Sequence, residues 1–167
     1  MIAVILLAGA AIPSTPDLGK AEGQCRANEN GPAFLVEVLG LKDRKGRLKL
    51  ELYPANDEDF LADDNILVGA GKVFRRVEEA TPAAGPVQLC IRAPGPGTYA
   101  LSLMHDRDAN RRFSLSIDGI GFPGNPKLGW SKPHAAAARA TVGSGPARIA
   151  ITMNYRRGLF AFGPLEK

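Results

Sequence analysis

Chemistry-bearing residues are scarce in this 167-residue sequence: it holds two cysteines, two histidines and a single tryptophan. Neither cysteine, Cys25 or Cys90, has a CxxC neighbour, which removes zinc-knuckle and thioredoxin-type chemistry from consideration. Gly71-Lys72 is not a phosphate-binding loop, because Ile66 stands where the first glycine belongs and Val73 where Ser or Thr belongs. No segment repeats at solenoid spacing, and no heptad pattern runs through the chain. No apolar run reaches the roughly 20 residues that an ordinary bilayer-spanning helix needs.

Turn formers and short alternating segments are what the sequence does hold. Thirteen prolines and nineteen glycines punctuate stretches whose apolar residues recur at every second position, as strands require. Phe34 to Leu41 alternates through Phe34, Val36 and Val38. Arg47 to Tyr53 alternates Leu48, Leu50 and Leu52 with Arg47, Lys49 and Glu51. With the charged turn Lys42–Gly46 between them, these two read as a hairpin with one wet face. Further strands are expected at Lys72 to Glu79, Val87 to Ala93, Thr98 to Met104, Arg139 to Val142 and Arg148 to Tyr155, the last two as a hairpin around Gly143–Pro146. A short strand is expected over Phe113, Leu115 and Ile117, a helical turn at Asp57 to Leu61, and an edge strand in the tail after Arg156. About seven short strands spaced by turn signals indicate an all-β, single-domain, antiparallel two-sheet β-sandwich of immunoglobulin or transthyretin-like type. The length suits one such domain.

The first dozen residues, MIAVILLAGAAI, are apolar and are followed by small residues and Pro13. This is the pattern of a signal-peptide core leading to a cleavage zone. Residues 1–21 are therefore expected to be a signal peptide and 22–167 the mature domain. Cuts fit after Ala10 (Ala8-x-Ala10) or after Ala21 (Gly19-x-Ala21), in either case ahead of Cys25. No Lys or Arg precedes the apolar run, so the competing reading is a buried N-terminal strand or helix. Glu22-Gly23-Gln24 ahead of Cys25 lacks the small residue that a lipidated cysteine requires. Export implies a periplasmic or secreted protein that is not integral to the membrane once processed. In an oxidising compartment the even pair Cys25 and Cys90 forms most simply one disulfide. Losing residues 1–21 removes Lys20 and Asp17, so the net charge of +4 survives. The basic residues lie in short clusters at strand ends, and export argues against nucleic acid as partner. An envelope protein or a glycan is the expected partner class.

The chain is organised around Pro96 to Ser131. A strand there runs into His105-Asp106-Arg107-Asp108-Ala109-Asn110, followed by a long Gly- and Pro-punctuated excursion carrying Gly121-Phe122-Pro123 and Gly129-Trp130-Ser131. Loops of this length in compact domains are usually functional. The stretch resembles the bacterial DUF2141 family, whose hallmark is a strand ending in HD, an Asx-rich turn of the form HDxNxNGxxD, then GIP and GFS. The likeness extends to the Gly46 turn, Leu52-Tyr53, Phe60-Leu61 and Pro94–Gly97 before Tyr99-Ala100. Two positions depart from it: Arg111 replaces the turn glycine and Ser114 the closing aspartate. The resemblance implies an exported β-sandwich and supplies little chemistry.

Asp106, Asp108 and Asn110 fall at the first, third and fifth positions of a DxDxN loop, a spacing that turns three oxygens inward as Ca²⁺ requires. Arg111 stands where the bend wants glycine, Ile117 where a bidentate glutamate belongs, and Asp118 is next to it. The alternative is an Asx-rich turn whose side chains accept backbone N–H bonds, with no cofactor. His105 with Asp106 or Asp108 could serve a hydrolase, but neighbouring strand residues point to opposite faces and no serine stands in a nucleophile-elbow context. Trp130, with Phe122 nearby, could stack on a sugar or anchor a partner, or cover the open end of the sandwich. A binding or interaction module using a loop site of His105, Asp106 and Trp130 is thus the leading expectation, ahead of a calcium-stabilised module and of a hydrolase.

Overall fold

Ten strands form in the computed structural model, which describes residues 11–165. They are β1 (Ala33–Leu39), β2 (Arg47–Pro54), β3 (Arg75–Ala80), β4 (Val87–Arg92), β5 (Gly97–Asp106), β6 (Gly119–Gly121), β7 (Arg139–Val142), β8 (Ala147–Thr152), β9 (Asn154–Arg157) and β10 (Ala161–Pro164). Two short helices, α1 (Lys20–Gly23) and α2 (Asp64–Gly69), lie in connections, as does a 3-10 turn at Ala135–Ala138. The smaller sheet has the order β4-β1-β8. The larger runs β10-β9-β6-β5-β2-β3, with β7 also paired to β5. β7 and β6 share one edge of β5, facing residues 97–100 and 103–105 in turn. The all-β two-sheet sandwich is the fold that the alternation implies.

The pairing of neighbours differs from the sequence expectation in two places. β1 and β2 are not a hairpin: β1 pairs with β4 and β8 in the small sheet, while β2 pairs with β3 and β5 in the large one. Phe34, Val36 and Val38 therefore meet Leu48, Leu50 and Leu52 across the core rather than beside them. β7 and β8 separate in the same way, β7 joining β5 and β8 running parallel to β1. A short turn between two alternating strands reads identically whether the chain doubles back within a sheet or steps across to the other. The apolar faces decide between these, because crossing buries both against each other.

The wet face expected for β2 is covered over its second half: Arg47 and Lys49 are half-buried, and Glu51 and Tyr53 are buried. Packing between the sheets forms one core, and a second core lies on the outer face of the large sheet. There Tyr53 and Ala100 are covered by Phe60, Leu67, Phe74, Phe122, Ala135 and Ala138 from the connections. Tyr53 meets Phe60 and Phe74 edge to face. Glu51, read as solvent-facing, is buried and held by Arg76, whose guanidinium also binds Asp64 of α2 at 3.0 Å. Residues 57–61 form the expected turn, with the Phe60 N–H donating to the Asn56 carbonyl, and α2 follows it. No strand forms over Phe113–Ile117; residues 115–117 are turn, and the three apolar side chains of the segment are exposed.

The N-terminal expectation falls partly outside the described residues, since 1–10 are not among them. From residue 12 the chain lies along α2 and β3. The Asn65 side chain donates to the Ile12 carbonyl, Arg76 Nη1 donates to the Thr15 carbonyl at 3.1 Å, and the Arg76 N–H donates to the Gly19 carbonyl. Gly23 is buried against the Arg76 backbone, leaving no room for a Cβ. Gln24 then bridges to Ile91 of β4. Cys25 is disulfide-bonded to Cys90, as the even cysteine pair led us to expect.

Candidate functional site

β5 continues two residues past the expected end and carries His105 and Asp106 inside, where both are fully buried. The Lys42–Gly46 connection lies across this end. Gly46 adopts φ 64 and sits against the Asp106 backbone, where a Cβ would collide with the carbonyl, so glycine is required there. His105 Nε2–H donates to the Lys45 carbonyl at 2.8 Å, and Nδ1 accepts from the Tyr155 hydroxyl at 2.6 Å. That hydroxyl in turn accepts from the Lys42 N–H. Burial pushes the His105 pKa below its ordinary value and lifts the Tyr155 phenol to about 12. With both ring nitrogens engaged inside the fold, His105 has no face left for a substrate. The Arg107 guanidinium beside Asp43 holds that carboxyl below the usual carboxylate range.

The turn after β5 is closed by side-chain acceptors. Asp106 takes the N–H groups of Asn110 (3.1 Å) and Arg111 (2.8 Å) on its two oxygens. Asp108 accepts from the Asn110 side chain, and Asn110 Oδ1 from the Arg112 N–H. Asp118 accepts from Arg107 N–H and Ser114 N–H, drawing the far end of the loop back to its start. Carboxylate oxygens of Asp106, Asp108 and Asp118 all lie within 4.8 Å of one another. Burial first, and the Asp108 and Asp118 carboxylates after it, raise the Asp106 pKa. Asp118 was visible in sequence only as a neighbour of the position where a glutamate belongs. Its place in the cluster follows from β6 turning the chain back beside β5. Arg111 keeps a left-handed φ of 64, the conformation for which the family pattern has glycine, and its side chain leaves the turn to reach Glu78.

Trp130 belongs to a different place. It is 71% exposed and lines an apolar cleft of about 250 Å³ with Phe113, Leu115, Ile120, Phe122 and Phe162. Phe113 and Phe162 meet edge to face at 6.4 Å, joining the excursion to β10. Lys132 stands at the rim, its Nζ over the Phe60 ring at 5.8 Å and bonded to the Asp57 carbonyl. His105 and Asp106 do not line this cleft. The three residues expected to share a loop site are thus divided between a sealed polar turn and an open apolar cleft. The Phe113-x-Leu115-x-Ile117 alternation was the available sign of the cleft. It is equally the pattern of a strand, so sequence reasoning missed the wall it forms.

The family model described as "Uncharacterized protein conserved in bacteria (DUF2141)" matches residues 36–150, well over half of the chain. The chain belongs to the DUF2141 family. The DUF2141 region runs from β1 to β8 and takes in the Asx turn and Trp130. The N-terminal segment with Cys25 lies outside it, as does the β9–β10 hairpin that supplies Tyr155 and Phe162. Neither the curated proteins nor the solved structures contain a match to this DUF2141 chain.

Proposed function

We propose that this DUF2141 protein is an exported binding domain of the cell envelope, without catalysis of its own, that takes an apolar group of its ligand into the cleft beside Trp130. The observation carrying the reading is a large, exposed indole in an open apolar cleft whose walls include Phe113, Leu115, Ile120, Phe122 and Phe162. Concave apolar sites with a few polar groups at the rim are where small ligands bind, and exposed aromatic patches mark interaction sites. Export is supported by the leader pattern and by the disulfide, which persists in oxidising compartments. The hydrolase alternative finds little support in a histidine with both nitrogens engaged inside the fold.

Titration with the apolar fluorophore 1-anilinonaphthalene-8-sulfonate tests the cleft. Saturable binding should appear in the wild type and weaken strongly in Trp130→Ala and Phe113→Ser. Binding of equal strength in all three would remove the cleft as the site.

A calcium-stabilised turn is the second reading. The observation that favours it is the approach of Asp118 to Asp106 and Asp108, which adds a carboxylate the DxDxN spacing alone did not provide.

A further inference from the structure

The cleft sits within a wider face whose composition is unusual. Of the nine large apolar side chains exposed among the described residues, six belong to two segments: Phe113, Leu115, Ile117 and Trp130 in the excursion, and Leu159 and Phe160 in the β9–β10 turn. Leu159 and Phe160 are the most exposed of all, at 72% and 84%. The turn leads directly into β10, whose Phe162 meets Phe113 in the cleft, so Leu159 and Phe160 lie within three residues of a cleft side chain. The charge of the same segments has one sign. Residues 112–133 and 156–164 contain Arg112, Lys127, Lys132, Arg156 and Arg157. Their single carboxylate, Asp118, is buried with both oxygens on backbone N–H groups.

We infer that this face docks on an anionic lipid bilayer, with Leu159, Phe160 and Trp130 entering the interface and the surrounding arginines and lysines lying against the headgroups. The inference rests on the reading of this face as the binding face, and adds what covers it. Aromatic and aliphatic side chains at a protruding turn gain most from leaving water where an acyl boundary receives them. Indole is favoured at that depth because its ring is apolar and its N–H stays hydrated. Basic side chains flanking such a tip are attracted to anionic headgroups within a Debye length. A protein partner would be expected to offer carboxylates of its own. Within those two segments no carboxylate is exposed to repel a lipid surface, and Asp57, whose carbonyl holds Lys132, has its carboxylate on His134 and the Ala135 N–H.

Trp130, as the only tryptophan, reports on this face without labelling. The mature protein is mixed with vesicles of equal parts phosphatidylglycerol and phosphatidylcholine, or of phosphatidylcholine alone. Co-sedimentation and tryptophan emission are then recorded at low and high salt. The expected result is binding to the anionic vesicles with a blue shift of the emission, weakened by salt and far weaker on phosphatidylcholine. The double variant Leu159→Ser/Phe160→Ser should lower partitioning by at least about tenfold, and Arg112→Glu/Lys127→Glu should lower it on anionic vesicles only. Both variants change exposed residues, and unchanged melting curves verify their fold. Anionic binding that persists undiminished in Leu159→Ser/Phe160→Ser, with no blue shift, would mean plain adsorption of a basic protein and would overturn the inference. So would an absence of vesicle binding. Fluorophore binding in solution with no vesicle binding would leave the cleft reading standing while this one falls; the reverse result would retain the membrane face and discard the small-ligand cleft.

Discussion

Tyr155 ties three elements with one oxygen, donating to His105 on β5 and accepting from the Lys42 N–H of the β1–β2 connection. Tyr155→Phe deletes that oxygen and leaves a buried ring nitrogen and an N–H without partners. A loss of about 1–3 kcal/mol of unfolding free energy is expected in denaturant titrations. His105 also makes stability depend on pH. Its folded pKa lies below the unfolded value of about 6.5 because burial disfavours the imidazolium. As pH falls through that value, the unfolded chain takes up a proton that the native chain does not, so stability decreases with falling pH. Above about 7 the contribution is fully present. His105→Gln, which can still donate to the Lys45 carbonyl, should be less stable and should show a flatter profile between about pH 5 and 7. Asp106 works in the opposite sense, since its raised pKa favours the protonated native form in more acid solution. An unaltered slope in His105→Gln would show that the imidazole does not control this window. Asp106→Ala should cost about 1–3 kcal/mol by freeing the Asn110 and Arg111 N–H groups. If the turn is self-sufficient, the cost is the same in calcium and in chelator. A melting shift in calcium that vanishes in Asp106→Ala would instead establish the calcium reading.

At the scale of elements, the N-terminal segment is bound to β4 twice, through the Gln24–Ile91 bridge and through the Cys25–Cys90 disulfide. The disulfide closes a loop with a sequence separation of 65, for which the chain-entropy model gives about 4 kcal/mol. Cys25→Ser/Cys90→Ser should lose stability of about that size, read as a lower denaturant midpoint that added reductant does not lower further. In the wild type, reductant alone should reproduce most of the loss. The same segment supplies the carbonyl of Thr15 to the guanidinium of Arg76, a buried cation whose remaining partners are Glu51 and Asp64. A buried charge deprived of one acceptor is costly. Residues 12–24 are therefore structural parts of the domain rather than a tail.

For the whole molecule this bears on where an exported chain begins. A cut after Ala21 would strip away Thr15, Leu18 and Gly19, the residues that cover Arg76 and pack on Phe74. A cut after Ala10 would leave them in place. Sequencing of protein recovered from the native host's envelope should give Ala11 as the first residue. Glu22 as the first residue would show that the domain holds together without this strap, and retention of Met1 in the cytoplasm would remove export from the proposal.

Alternation and turn residues determined the fold class, because a period of two with frequent Gly and Pro can bury a continuous apolar face only in packed sheets. The even cysteine pair made one bridge the simplest pairing. Gly46 was legible as a positive-φ turn, and the Asx turn as a nest of side-chain acceptors. Which strand pairs with which was not legible, since Phe34-x-Val36-x-Val38 and Leu48-x-Leu50-x-Leu52 satisfy a hairpin and a sandwich equally. Long-range packing chose the sandwich. The same limit hid the second core, which turned Glu51 from a surface charge into a buried partner of Arg76. It hid the cleft as well. Phe113, Leu115 and Trp130 become a wall only when β6 returns along β5 and β10 brings Phe162 against them, and contacts between residues so far apart in sequence leave no local periodicity to read.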